Sequence, residues 1–325
     1  MALRVGMIGC GGIAEAHLNT LKGLEDANLV AFQDIDGAKA ARFAELAGQG
    51  NVYSDFREMY DKESLDAVWV CVPPFAHEDQ ELIACEKGIP FFCEKPVALT
   101  MGKAREVEAA AEKAGLITGA GYLVRYMDTA AKVKELIEGK QIDMFEGHFS
   151  GGFPGVYWWR RMELSGGQFV EQTTHIVDIL RYFLGDVERV SAFMAQRDME
   201  DIENINIPTV GTVGLELKSG AVGAVHNTCI VSQGYKVGAT LLARDLVVEY
   251  TYTRVTWRTP DASGEFTCDF DGMVREDAAF LKAIQTGDAS LVKSTYSDAV
   301  KTLAVTLAAN ASAESKQVVS VDSFG

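Results

Sequence analysis

The 325-residue sequence lacks an excess of positive charge, paired cysteines and a long apolar run. Its 30 Lys and Arg residues are outnumbered by 46 Asp and Glu residues, which gives a formal net charge of −16. Because nucleic-acid binding depends on clustered Lys and Arg side chains, this balance argues against a nucleic-acid partner. No run approaches the ~18 apolar residues of a membrane-spanning helix, so we expect no membrane partner either.

The six cysteines form no CxxC pair. Several lie in apolar, strand-like runs, where a thiol behaves as a small hydrophobic group, so we expect neither a disulfide nor a metal site. The opening residues, MALRVGMIG, go straight into a strand pattern without a charged leader and a long apolar segment. We therefore predict a cytoplasmic location.

Residues 1–122 alternate short apolar runs with longer helical patterns, which is typical of parallel strands joined by crossover helices. The predicted strands are LRVGMI, NLVAFQ, DAVWVCV, IPFFC and LITGAG. The segments between them place apolar residues at three-and-four spacing, and several end at glycine. The pattern predicts an α/β domain with a doubly wound parallel sheet, the Rossmann type.

Residues 123–325 begin with a helical pattern and continue with longer alternating segments. The predicted strands are FEGHFSGG, RVSAFMAQRD, TVGLELKSG, AVGAVHNTCIV, KVGATLLARD and LVVEYTYTRVTWR. They predict a second, α+β domain with a large, mainly antiparallel open sheet. Helices are predicted at about 171–184, near 274–286 and near 297–315, and we expect the last two to pack on the first domain.

A glycine-rich turn follows the first predicted strand, in MIGCGGIAEAH. Gly9, Gly11 and Ala14 form a G-x-G-x-x-A arrangement, which lets backbone N–H groups approach a pyrophosphate at the positive end of a helix. We assign cofactor binding to the whole turn, which comprises Gly9, Gly11, Gly12, Ile13 and Ala14.

Asp34 ends the second predicted strand, twenty residues after Ala14. A carboxylate at this place accepts hydrogen bonds from the ribose hydroxyls of an adenosine and repels a 2′-phosphate. The residues that follow, IDGAKA, offer no Arg to receive that phosphate. The predicted cofactor is therefore NAD, in preference to NADP.

The segment CVPPFAH follows the third predicted strand. Pro73 and Pro74 cannot continue a strand ladder, so they fix a turn at the carboxyl edge of the sheet, where open α/β sheets bind ligands. His77 then opens a predicted helix, either as a helix-start residue or as a pocket residue. Pro73 and His77 are both candidate cofactor-binding residues.

Glu94, Lys95 and Pro96 leave the fourth predicted strand, in FFCEKPVALT, at the same edge. A lysine there can donate to a substrate hydroxyl and lower the cost of the alkoxide that develops as hydride leaves. Pro96 would hold the turn that directs the lysine. The rival interpretation is a solvated charge pair between Glu94 and Lys95, which contributes little to stability.

Four segments together resemble the glucose-fructose oxidoreductase and inositol dehydrogenase (Gfo/Idh/MocA) family: IGCGGIAEAH, VCVPPFAH, FCEKPVALT and GGQFVEQTTHIVDILRYFLG. The resemblance covers essentially the whole chain. It implies an NAD(P)-dependent oxidoreductase of sugars, cyclic polyols and related compounds, with a homo-oligomer, dimer or tetramer, formed through the C-terminal sheet. It also implies that Lys95 lies beside the nicotinamide and the substrate, with Glu94 as a further cofactor-site residue.

His175 is the best candidate for a general base, because an imidazole can take the alcohol proton as hydride leaves. It matches the family's motif, and it shares a predicted helix face with Glu171 and Asp178. The sequence departs from the family at Glu171, where Asp is more usual, so the substrate cannot be carried over from inositol dehydrogenase. Asp178 either takes part in catalysis or caps or pairs within the helix.

The segment GVYWWRR combines aromatic and basic side chains, which suits a loop that stacks rings on a sugar and binds its hydroxyls. Packing is the competing explanation for such a cluster. The candidate substrate-binding residues are His175, Tyr157, Trp158, Trp159 and Arg160, together with Tyr122 and Arg125 after the fifth strand.

These observations predict an NAD(P)-dependent dehydrogenase of a sugar, a sugar derivative or a cyclic polyol, with Lys95, His175 and Glu171 as catalytic residues. Two alternatives stay open. Some relatives use NAD to hydrolyse glycosides with no net redox change, and a cofactor-loaded sensor would bind without turnover.

Overall fold

The computed structural model describes residues 2–199 and 201–324 of the chain. They form two compact units. The first consists of Met1–Ala98, Gly102–Leu123 and Asp271–Val300, and the second of Leu99–Met101, Val124–Phe270 and Lys301–Gly325. The functional division at 1–122 and 123–325 stays a prediction, since packing groups part of the C-terminal region with the first unit.

The first unit contains a parallel sheet of six strands. They are β1 (Leu3–Ile8), β2 (Ala27–Gln33), β3 (Asn51–Tyr53), β4 (Ala67–Val70), β5 (Phe91–Cys93) and β6 (Thr118–Ala120), in the spatial order β3-β2-β1-β4-β5-β6. Parallel strands are covered on both faces and therefore read as apolar runs, and all four residues of β4 are buried. The predicted Rossmann fold is confirmed.

Crossover helices connect these strands. They are α1 (Gly12–Lys22), α2 (Gly37–Ala47), α3 (Phe56–Lys62), α4 (Gln80–Lys87) and α5 (Met101–Ala114), and α10 (Gly272–Thr286) joins the unit later in the chain. Phe280 of α10 packs edge-to-face on Trp69 of β4 and on Phe92 of β5, with ring centroids 5.2 and 5.7 Å apart. These rings fix the position of α10 on the first unit, as the sequence predicts.

The second unit contains a nine-stranded sheet. Its strands are β7 (Met144–Ser150), β8 (Val187–Ala195), β9 (Val210–Leu217), β10 (Val222–Thr228), β11 (Lys236–Ala243), β12 (Leu246–Tyr250), β13 (Arg254–Arg258), β14 (Ser263–Thr267) and β15 (Val319–Ser320). The spatial order is β14-β13-β12-β11-β7-β10-β9-β8-β15, and every pair is antiparallel except β7 with β10. The mainly antiparallel sheet is thus confirmed.

One face of this sheet is covered by helices. The unit contains α6 (Asp128–Ile137), α7 (Met162–Ser165), α8 (Gln168–Glu171) and α9 (Thr174–Leu184), and α11 (Tyr296–Ser315) enters it from Lys301 onward. At Gly147 of β7, an added Cβ would stand 2.7 Å from Ile176 and 3.1 Å from Leu180. Glycine at this position therefore lets α9 pack closely on the sheet.

Several sequence predictions differ from the structure. The helix predicted near 297–315 was expected on the first domain, but from Lys301 onward α11 belongs to the second unit. The segment LVVEYTYTRVTWR is a hairpin, β12 and β13, in which the Thr251 N–H donates to the Arg254 carbonyl at 2.8 Å. The helix predicted at 171–184 is divided into α8 and α9. The strands β3, β14 and β15 were not expected. Within the described residues, the longest and most apolar helices still fall short of what a bilayer crossing requires.

Candidate active site

The turn after β1 adopts a shape that only glycine can take at its first position. Gly9 has φ +84°, and an added Cβ would stand 2.6 Å from the carbonyl oxygen of Cys71. The Gly9 N–H donates to the Gln33 carbonyl at 2.8 Å, which fixes the turn to the end of β2. A side chain at Gly9 would push this turn away from β4.

Gly11 and Gly12 face open space, because an added Cβ at either position would meet no atom within 4 Å. Helix α1 begins there, and the first N–H groups of a helix have no acceptor within it. Ile13 is partly exposed and Ala14 is buried against the core. The arrangement fits a pyrophosphate, which needs room, N–H donors and a positive helix end.

Asp34 lies directly beside this turn. One carboxylate oxygen accepts the Cys10 N–H at 2.8 Å, and the other accepts the Asp36 N–H at 2.9 Å. Each oxygen can accept a further hydrogen bond, so the half-buried carboxylate can still receive ribose hydroxyls. The two N–H groups orient Asp34 before any cofactor binds.

The region after β4 differs in detail from the prediction. Pro73 stands at the carboxyl edge of the sheet, but His77 does not open a helix, since α4 begins at Gln80 after Asp79. The error arises because HEDQ offers several helix-start residues and the sequence does not select among them. The His77 imidazole instead contacts Glu81, with Nδ1 and Oε1 2.7 Å apart.

His77, Glu81 and Cys93 could hold a metal ion by residue type, since their ligand atoms lie within 4.8 Å of one another. Burial raises the pKa of the Cys93 thiol well above its usual value, and Glu81 adds to this. The thiol also donates to Glu81 at 3.5 Å. A neutral thiol that is already hydrogen bonded is a poor metal ligand, so we assign this cluster to packing.

Glu94 and Lys95 occupy different environments at the end of β5. Glu94 is only 3% exposed, so the alternative of a solvated charge pair is wrong, whereas Lys95 is half-buried. The Lys95 N–H donates to Glu94 Oε2 at 3.0 Å, and the Lys95–Pro96 peptide is cis. The strand thus ends in a tight turn held by a buried carboxylate.

His17, on α1, contacts the buried Glu94 carboxylate and so belongs to this part of the site. It is fully buried on α1, and its Nε2 lies 3.0 Å from Glu94 Oε1. Its Nδ1 lies 2.9 Å from Asp277 Oδ1. Asp277 follows His17 by 260 positions, so only the fold reveals this cluster.

In the second unit, two consecutive glycines lead into the short helix that carries Glu171. Gly166 and Gly167 have φ +74° and +83°, and a Cβ on Gly166 would stand 2.9 Å from Val170. Helix α9 follows and buries Ile176, Val177, Ile179 and Leu180. Glu171, Gln172 and His175 are half-exposed, whereas the rest of the segment from Thr173 to Leu180 is buried.

Trp159 connects the aromatic loop to this segment. Its side chain is buried, and its indole N–H donates to Glu171 Oε2 at 2.6 Å. The ring also packs edge-to-face on Phe153, with centroids 5.1 Å apart. The structure therefore brings Trp159 and Glu171 together, with the indole acting as a support for the carboxylate.

Arg125 and Asp178 form a buried ion pair. The guanidinium donates twice to the carboxylate, at 2.7 and 2.6 Å, and both side chains are nearly inaccessible. Thr302 also donates to Asp178 at 2.9 Å. The contacts of Asp178 are thus with Arg125 and Thr302, which lie outside α9, so the predicted alternative of pairing within the helix is wrong.

The remaining candidates differ in exposure. Tyr157 is exposed, Trp158 and Arg160 are half-buried, and Tyr122 is buried in the first unit. Arg160 donates to the Glu203 carbonyl at 3.2 Å, and its guanidinium lies 5.8 Å from the Tyr157 ring centroid. Tyr157 and Arg160 therefore offer a ring and a cation on one surface of the loop.

Two family profiles match the chain in sequence. One is described as "Oxidoreductase family, NAD-binding Rossmann fold" and matches residues 3–122. The other is described as "GFO/IDH/MocA C-terminal domain" and matches residues 130–254. Together they span most of the chain. The first covers the strands of the six-stranded sheet, and the second covers most strands of the nine-stranded sheet.

Two relatives match over nearly their full length. Myo-inositol 2-dehydrogenase of Thermotoga maritima is 28% identical, with 98% of this chain and 99% of the relative covered. 1,5-anhydro-D-fructose reductase of Ensifer adhaerens is 26% identical, with 98% of each chain covered. Among solved structures, levoglucosan dehydrogenase in complex with NADH and levoglucosan gives a TM-score of 0.89 at 19% identity, over 99% of this chain and 100% of that one. This last likeness concerns the fold.

Proposed function

The chain belongs to the GFO/IDH/MocA family of NAD-binding oxidoreductases, and from this premise we propose that it is a dehydrogenase of a sugar, a sugar derivative or a cyclic polyol. The observation that carries the proposal is the first unit's cofactor cradle. Open glycines, the start of α1 and a preoriented Asp34 meet there at one sheet edge. The substrate class rests on the names of the relatives, inositol and anhydrofructose enzymes among them.

NAD would be held by the turn from Gly9 to Ala14, with the ribose on Asp34, and would supply a nicotinamide carbon that accepts hydride. Pro73 and His77 would border it at the same sheet edge. Glu94, whose two oxygens are both engaged, would act through the turn that it holds. All of the residues assigned to the cofactor here belong to the first unit.

The reacting hydroxyl must lose a proton as its carbon loses hydride. In the proposed mechanism His175 takes that proton, and Lys95 donates a hydrogen bond to the oxygen as negative charge develops. Glu171, fixed by the Trp159 indole, orients the substrate or the imidazole on the same half-exposed face. Tyr157, Trp158 and Arg160 are proposed to contact the sugar, and Tyr122 and Arg125 to support the site from buried positions.

The activity is tested by incubating the purified protein with NAD and a panel of inositols, aldoses and anhydrosugars while NADH formation is followed. A nitrophenyl glycoside assay without added NAD runs beside it. NADH formation supports the dehydrogenase, whereas release of nitrophenol without NADH supports the glycoside hydrolase. Cofactor binding with neither reaction supports the sensor.

Cofactor choice gives a separate prediction. Because Asp34 is oriented toward the ribose position and repels a 2′-phosphate, kcat/KM should be higher with NAD than with NADP. Asp34→Ser should narrow the difference, since it removes the repulsion. Steady-state kinetics with both cofactors measure this difference in kcat/KM. Asp36→Ser is the matched control, since it makes the same chemical change at a residue whose side chain caps α2.

That assignment is wrong if the wild-type protein uses NADP as well as NAD. It is also wrong if Asp36→Ser changes cofactor preference as strongly as Asp34→Ser does. In either case Asp34 would serve only the geometry of the turn.

We also propose that the chain forms a homo-oligomer, a dimer or tetramer, through the open face of the nine-stranded sheet. Phe193, Val222 and Met144 lie on this face and are 79%, 51% and 46% exposed. Alternate positions such as Phe145 and Val225 are fully buried on the opposite face. Apolar side chains exposed across neighbouring strands suit a second copy of the chain.

The oligomer proposal predicts a molar mass in solution of at least twice that of one chain, measured by light scattering during gel filtration. Phe193→Asp should lower this mass, because it places a charge in the proposed interface. Phe75→Asp, at an exposed position of the first unit, should leave it unchanged. A wild-type monomer would overturn the proposal.

A cytoplasmic location is proposed as well. All six cysteines are free thiols, and five of them are buried. Free thiols in this number are typical of a reducing compartment.

A further inference from the structure

His17 lies at the centre of a buried charged cluster in the first unit. Its ring is inaccessible to solvent, with Nδ1 2.9 and 3.0 Å from the two Asp277 oxygens and Nε2 3.0 Å from Glu94 Oε1. An ionised carboxylate only accepts hydrogen bonds, whereas a neutral imidazole donates from one nitrogen alone. Both contacts are satisfied together when both ring nitrogens carry protons.

The surroundings favour this imidazolium. Burial alone would lower the pKa of His17, but Asp277 and then Glu94 outweigh it and hold that pKa well above its usual value. Trp69 Nε1 donates to Asp277 at 3.0 Å and so fixes the carboxylate on the far side of the ring. The Phe92 ring packs edge-on at 5.2 Å. Each neighbour restricts the imidazole to one orientation.

Among the described residues, other titratable groups around the cluster are Glu276, Cys71 and Cys93, with Cys10 next to Cys71. Glu276, His17 and Glu94 present ligand atoms within 4.8 Å of one another. The pKa of the Cys71 thiol is raised well above its usual value by burial and by Glu94, and that of Cys10 is raised to about 12 by burial and by Asp34. The thiols are therefore neutral, and they leave the charge of the His17 ring to be balanced by the carboxylates around it.

Glu94 links His17 to the turn that carries Lys95. Its Oε1 contacts the imidazole, and its Oε2 accepts the Lys95 N–H at 3.0 Å. A Cβ on Gly121 would stand 2.4 Å from Glu94 Oε1, so glycine at this position makes room for the carboxylate. The orientation of the Lys95 backbone is thus set through Glu94 by the ring of His17.

We propose that His17 is a positioning residue for Lys95, which it serves by holding the Glu94 carboxylate against the Lys95 N–H. The proposal rests on the proposed function, in which Lys95 donates to the reacting oxygen. It extends that function to a residue that touches neither substrate nor cofactor. It also accounts for a histidine and two acids in a core that apolar side chains could otherwise fill.

The first measurement needs no variant and no substrate. Nitrogen NMR of the histidine-labelled protein at about pH 8, above the ordinary titration range of histidine, should show the His17 ring with both nitrogens protonated. His17→Gln should remove that signal. A neutral His17 ring would overturn the proposal, and so would a stoichiometric metal ion bound to the ring in place of a proton.

The second measurement compares two isosteric variants that each remove one carboxylate from His17. Glu94→Gln replaces one acceptor oxygen with an N–H₂ donor, so the side chain can no longer accept from both the His17 ring and the Lys95 N–H. Losing this connection should lower kcat about tenfold to a hundredfold, the cost of a misplaced catalytic group. Asp277→Asn leaves that connection intact. It should lower kcat much less than Glu94→Gln does, even if both variants lower the free energy of unfolding equally. If kcat falls equally in the two variants, in proportion to the loss of stability, the cluster is only structural.

The third measurement separates this proposal from the proposed function. His17→Gln should slow the wild-type enzyme without altering KM for NAD, yet have little further effect in a Lys95→Ala background, because both changes act through the same group. A slow Lys95→Ala enzyme combined with a full-rate, folded His17→Gln enzyme would overturn the positioning role alone. A full-rate Lys95→Ala enzyme would overturn both.

Discussion

His175→Asn should keep the fold and the affinity for NAD while it slows turnover by about 10² to 10⁴, the usual worth of a placed acid or base. The side chain is half-exposed on the first turn of α9, where a smaller polar side chain leaves no buried cavity, so folding should survive. The change removes the group that takes the alcohol proton. Steady-state rates and calorimetry of NAD binding measure the two quantities.

The pH dependence gives the same variant a second readout. Only the neutral imidazole can take a proton, so the wild-type rate of alcohol oxidation should rise with pH through one ionisation, as the neutral base becomes available. The Asn variant should lose that step. The reverse reaction needs the protonated ring, so carbonyl reduction should fall over the same pH range.

His226→Asn is the matched control, because it makes the same chemical change in a strand of the nine-stranded sheet, where the ring contacts Thr212. It should leave both the rate and the pH step intact. A His175→Asn enzyme with a near wild-type rate and its pH step would return His175 to a structural role and leave Lys95 or another group as the base.

Lys95→Ala should lower turnover by roughly a hundredfold or more, the scale of one lost donor to a developing oxyanion. NAD affinity should stay nearly unchanged, because the proposed contact is with the substrate oxygen. The contact with the buried Glu94 uses the backbone of residue 95, so the substitution removes the side-chain ammonium but not this contact. The Ala variant keeps the Lys95 N–H that Glu94 accepts, so the turn should hold its shape.

Lys87→Ala serves as the control, since Lys87 pairs with Asp61 at the surface and should not affect the rate. Loss of NAD binding in proportion to activity in Lys95→Ala would contradict the assignment. Lys95 would then be a cofactor-binding or structural residue, and the hydroxyl would need another donor.

The sequence predicts those features that depend on local spacing. The glycine turn, the acid at the end of β2 and the strands of the Rossmann sheet follow from short-range patterns, and Gly9 and Asp34 lie where those patterns imply. The alternating segments likewise predict the large antiparallel sheet. A tight turn that contains neither Gly nor Pro, however, does not interrupt the alternating pattern. The sequence of the β12–β13 hairpin therefore predicts a single strand.

Contacts between distant positions are not readable in the same way. Glu94 looks like half of a surface charge pair because its partner His17 lies 77 positions away in the chain, and the second partner of His17, Asp277, lies farther still. Trp159 looks like a sugar-stacking ring, and only packing shows that its N–H is committed to Glu171. Arg125 and Asp178, 53 positions apart, likewise appear as two independent candidates until the fold pairs them.

The central claim is net hydride transfer from a sugar or polyol carbon, and isotope transfer tests it most directly. A substrate found with the panel is labelled with deuterium on the carbon that bears the reacting hydroxyl, and the NADH formed is analysed by mass spectrometry. The account predicts one deuterium in each NADH and none in the carbonyl product at that carbon. Consumption of the labelled substrate with the deuterium retained in the product and no NADH accumulated would contradict it.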